Sequence, residues 1–130
     1  MLSRRDWVMR QVKQLADFIA RALKLAGEQR RPEAVAVLRS ASLDLLGIEL
    51  AALEWVDAAG AVDLLGAPER CLTFARLLEA LAEVEGPQAG RPRRAHALEV
   101  VDELRRRSPD HAEAGALQLR LTASLAAEPA

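Results

Sequence analysis

Cys71, His96 and His111 carry the sulfur and imidazole nitrogens that a transition metal would select. They lie too far apart for any two to form a ligand pair on one helix, and the chain has neither His-x3-His nor Cys-x2-Cys. A di-iron bundle takes Glu-x2-His from two helices, whereas His96-x2-Glu99 runs in the reverse order and occurs once. No metal is therefore expected, and both histidines read as solvated or partly exposed groups near helix starts. Acid–base chemistry would have to use Glu79, Glu83 and Glu85, but with Arg76 close by on one helix they read as a solvated charged face. Ser3, Ser40, Ser42, Ser108 and Ser124 read as caps or helix-surface residues, with no Gly-x-Ser-x-Gly turn and no glycine-rich phosphate loop. Cys71 reads as a small core residue, since a reactive thiol needs its pKa lowered, as a helix N-terminus can do. No catalytic residue and no cofactor site is expected, and the chain reads as non-enzymatic.

Three arginine clusters remain. Arg105, Arg106 and Arg107 close a predicted helix, where positive charge is favourable by about 0.3–1 kcal/mol each at best. Arg4 and Arg5 open a helix, as do Arg91, Arg93 and Arg94, and there the helix dipole opposes them. A charge that costs local stability hints at an acidic partner, so Arg91, Arg93 and Arg94 are the candidate contacts for one. The same cluster supports an alternative reading as a nucleic-acid-associated helical module. A net charge of −1 and the lack of a recognition-helix or exposed-aromatic signal weigh against it.

The elements that would position these groups are helices throughout. Ser3 with Asp6 resembles a capping box that starts a helix near Arg4, and Gly27 is its expected stop. Apolar side chains between Trp7 and Ala26 fill roughly 200° of the helical wheel, twice the arc one packing neighbour covers. Val8, Val12, Leu15, Ile19, Ala22 and Ala26 form the centre, with Trp7, Phe18 and Leu25 on one flank and Met9 and Ala20 on the other. This helix must be covered from two sides, by later helices or by a second chain. Trp7, Phe18 and Leu25 are the candidate interface of a homodimer.

Pro32 opens a second helix that Gly47 ends, which makes residues 1–47 an antiparallel hairpin. Residues 48–67 read as two short bridging helices, the later one capped by Asp57, weakened at Gly60 and ended at Gly66, with Trp55 at least partly buried as an anchor. Residues 68–125 hold a second hairpin and a C-terminal helix: Pro68 to Gly86, then a loop through Gly90, then a helix from Pro92. Ser108-Pro109 is the expected start of the last helix, and the tail from Ala126 to Ala130 is expected to fray.

A chain of 130 residues with 51% hydrophobic and 28% charged side chains suits one globular domain, 1–130. Aromatic residues are only 3%, so Leu, Ala and Val must fill a core of closely packed helices. Lys13 and Lys24 are the only lysines; beside so much Ala, this reads as GC-rich, bacterial coding bias. A lone cysteine leaves no intramolecular disulfide, and no apolar run approaches a membrane span or a signal-peptide core. Asp6 and Asp17 weigh against a mitochondrial presequence in the Arg-rich start. A cytoplasmic setting away from membranes is expected.

Phe18-x2-Arg21-Ala22-x2-Leu25 is followed after a turn by Ala34-x3-Leu38-x2-Ala41. The later half offers Phe74-x2-Leu77-Leu78-x2-Leu81, then Ala97-x3-Val101-x2-Leu104-x4-Pro109. Small residues let backbones approach, and large ones fill the adjoining gaps. With these spacings most of the chain resembles tetratricopeptide-like helical hairpins, and it is also similar to short bacterial proteins of unknown function with a long N-terminal helix. Arg21 and Leu78 depart from the pattern, and Ile48 to Ala67 matches none of it. The resemblance implies an all-α fold of five to six helices and a protein–protein interaction scaffold that works through helical faces. It places no peptide-clamp residue in this chain.

Overall fold

The computed structural model describes residues 3–127, and 83% of them are helical, with no strand among them. Seven helices follow one another: α1 (Arg4–Gly27), α2 (Arg31–Leu46), α3 (Leu50–Glu54), α4 (Ala58–Leu65), α5 (Pro68–Glu85), α6 (Arg91–Arg107) and α7 (Ala112–Ala127). The expected five to six becomes seven because both bridging pieces close full helical turns.

Local chemistry sets most of the boundaries. Ser3 Oγ accepts the Asp6 N–H at 3.1 Å while Asp6 accepts the Ser3 N–H, the reciprocal cap expected from the sequence. Proline stands in the first turn of α2, α5 and α6, where its missing N–H costs nothing. Gly47 ends α2 with φ +70°, a conformation that only glycine adopts readily. Asp57 caps α4 by accepting the Gly60 N–H at 2.7 Å.

α1 ends at Gly27 as expected, although the positive φ, 64°, is taken by Gln29 in the turn beyond it. One boundary differs from the sequence expectation. Ser108 is the C-cap of α6, and Ser108-Pro109-Asp110 forms a turn before α7 begins at Ala112. There His111 Nδ1 accepts the Ala114 N–H at 3.3 Å, so an imidazole does the capping expected of the serine. Ala126 and Ala127 belong to α7, and the remainder of the tail lies outside the described residues.

Packing centres on α5. Cys71, Leu72, Phe74, Ala75, Leu77, Leu78, Ala80, Leu81, Ala82 and Val84 are all buried, and they point to every side. A helix apolar all round must be enclosed, and α1, α2, α4 and α6 all pack on α5. α1 pairs with α2, α6 with α7, α3 with α2, and α4 also with α6. α2 and α5 cover α1 from two sides, but they leave Trp7, Met9 and Val12 near its start exposed.

Three polar links fix the directions of the helices. Arg70 Nη2 donates to the Leu46 carbonyl, joining the end of α2 to the start of α5. Arg4 pairs with Glu69 at 3.1 Å, joining the starts of α1 and α5. Arg120 pairs with Glu79, well along both α7 and α5. α1, α5 and α7 therefore run the same way, with α2 and α6 opposed to them. Trp55 is not an anchor: it is 89% exposed at the C-cap of α3, and Leu50 and Leu53 are the side chains that bury that helix.

Candidate interaction groove

Because α1 and α7 both run along α5, they leave a groove of about 480 Å³ between them. Leu15, Leu72 and Leu117 are buried at its base. Met9 and Val12 form the α1 wall and stay 60% and 47% exposed. Met9 belongs to the second apolar flank of α1 and Val12 to the centre of its apolar arc, on a side that α2 does not cover.

The ends of the groove carry opposite charge. Glu69 and Glu113 stand at the end nearest the helix starts, and Arg76 and Arg120 stand farther along. Its own backbone N–H, and then Arg4, hold the Glu69 carboxyl below its usual range against the opposing effect of burial. Arg120 grips Glu79 through two hydrogen bonds, 2.8 and 2.9 Å, and that pairing raises the guanidinium pKa. Lys13, Arg76 and Glu113 make no side-chain hydrogen bond or ion pair with the described residues. Past Arg76 the surface becomes a polar cleft of about 570 Å³ lined by Glu79, Glu83, Arg120 and Ser124.

Trp7, Phe18 and Leu25 do not form one patch. Phe18 and Leu25 line a shallow furrow against Ala36, Val37 and Ser40 of α2, and both pack partly on the core. Trp7 sits toward the start of α1, 45% exposed and outside that furrow.

Of the arginine cluster, Arg93 bridges Glu54 of α3 and Glu85 of α5, the latter at 2.9 Å. Arg94 is buried and donates to the Pro87 carbonyl, and Arg91 donates to the Leu125 carbonyl at 3.3 Å. The cost of their position at a helix start is offset inside the fold. Glu79 and Glu85, expected on a solvated face, are in fact the acidic halves of links between helices.

Cys71 is fully buried, and burial pushes its thiol up to about 11, the opposite of activation. His96 is partly exposed, half-buried near the start of α6, and its ring meets Phe74 edge-on at 5.8 Å. No group of three or more His, Cys, Asp or Glu converges among the described residues. No helix among them is long and apolar enough to cross a membrane.

Sequence reasoning missed the groove because its second wall depends on the direction of α7. The signal that was present is Met9 on the flank of α1 opposite Trp7. No family model matches this chain, and neither does any curated protein or solved structure.

Proposed function

We propose that the protein is a non-enzymatic, tetratricopeptide-like interaction domain that takes a helical segment into the groove between α1, α5 and α7. The observation that carries this reading is the exposure of Met9 and Val12 above the buried base of Leu72 and Leu117. Burying an apolar side chain of that size is worth about 1.5–3 kcal/mol, and an apolar strip between charged ends suits an amphipathic helix. Antiparallel pairing of α1 with α2 and of α5 with α6 supports the hairpin-scaffold part of the reading. Since Arg93 and Arg94 serve contacts within the fold, no observation favours the nucleic-acid alternative.

Photo-crosslinking in cells tests the proposal. A benzophenone side chain at position 9 or 12 should give protein adducts, while one at Leu64, exposed on α4, should not. Adducts of equal yield from all three positions, or none from 9 and 12, would refute it.

A further inference from the structure

The groove presents, on the same helix, both a wall and the kind of strip that could fill it. Met9, Val12 and Ala16 follow one another at helical spacing along one exposed side of α1. Any face that is at once wall and insert can pair with its own copy about a twofold axis.

We infer that the occupant is α1 of a second copy, antiparallel, with the twofold axis crossing α1 between Arg10 and Gln11. This rests on the groove being the binding surface. In that register Met9 of each copy packs on the partner's Val12, so the two most exposed apolar side chains of the wall cover each other. α1 and α7 of both copies then form one intermolecular layer of four helices, with Ala16 and Ala116 small enough to let backbones approach.

The charges favour this direction. Lys13 comes level with the partner's Val8, at the acidic end where the partner's Glu113 stands unpaired. Arg5, on the same stripe, comes level with the partner's Ala16 and reaches toward the partner's Glu83. A parallel arrangement would instead carry Lys13 to Arg76 and Arg120. Opposite unpaired charges meet in one orientation, and like charges meet in the other.

Light scattering of the full chain over a concentration series provides the test, with circular dichroism to check that each variant folds. The wild type should be a dimer, and Met9→Glu should weaken it at least about tenfold. Lys13→Glu and Glu113→Lys should each weaken it about fivefold, and the double variant should recover most of that loss. All four variants change solvent-facing positions, so the fold should survive. A wild type that is monomeric at every concentration overturns the inference, and so does a double variant no tighter than the singles. The crosslinks from positions 9 and 12 separate the two failures. Foreign adducts with a monomeric chain refute the second copy and leave the groove reading, whereas no adducts at all remove both.

Discussion

The guanidinium of Arg70 closes two helices at once: Nε donates to the Leu65 carbonyl at 3.0 Å and Nη2 to the Leu46 carbonyl at 2.8 Å. Those carbonyls stand at the ends of α4 and α2, past the last helical bonds, and that of Leu65 also accepts the Ala67 N–H at 3.0 Å. Only a planar fork reaches both, so Arg70→Lys should lose about 1–2 kcal/mol in a urea melt, and Arg70→Met somewhat more. A lysine variant as stable as wild type would show that the fork is dispensable. Ser42 does similar work, donating from a fully buried hydroxyl to the Ile48 carbonyl at 2.7 Å, and Ser42→Ala should cost about 1 kcal/mol. Neither role was legible in the sequence, because a backbone acceptor leaves no trace in residue type. The partial exposure of His96 was legible, but the Phe74 ring it meets was not. Burial lowers the pKa of His96, aided by Arg93 and opposed by Glu99. The unfolded imidazole protonates near 6.5 and the folded one at lower pH, so stability holds above that value and declines as pH falls through it. Urea melts at pH 7 and pH 5 should show a smaller drop for His96→Gln than for wild type; equal drops would contradict the assignment.

At the scale of elements, the boundaries read well wherever proline or glycine encodes them locally. Pro32, Gly47, Pro68, Gly86 and Pro92 all stand at or within a residue of a helix end. Ser108 misleads because Ser-Pro suits both a helix start and a tight turn, and only the chain beyond it decides. Gly60 shows how a local cost can be misjudged. A methyl group there would lie 2.9 Å from Asp57 Oδ1, the atom that caps α4. Gly60→Ala should therefore gain none of the roughly 1 kcal/mol that helix propensity alone promises, as thermal melts would reveal. Gly90 is more constrained. A Cβ there would meet the Ala82 carbonyl oxygen at 2.2 Å, because the loop before α6 lies directly on the last turns of α5. Gly90→Ala should cost about 3 kcal/mol or more, and an unchanged melting temperature would mean that the loop can lift away.

For the whole molecule, the all-helical class was readable from apolar spacing, whereas the enclosure of α5 was not. Cys71, Phe74, Ala75, Leu78, Leu81 and Ala82 follow one face at helical spacing, and Leu72, Leu77, Ala80 and Val84 close the other sides. Spacing identifies a face, but only the mutual directions of all the helices show that every face is taken. Phe74, fully buried at this centre, should cost about 3–5 kcal/mol when replaced by Ala. That is most of the stability of a domain at the low end of the ordinary range of about 5–15 kcal/mol. The same enclosure sets a clock. Amide protons in the middle of α5, from Leu77 to Leu81, sit behind four other helices and should exchange with deuterium only when the entire chain opens. Those of α1 from Val8 to Val12 have water along one side, so brief local opening should release them far sooner. If a second copy covers that side, diluting the protein will quicken exchange in the first helix while the middle of α5 keeps its slow rate.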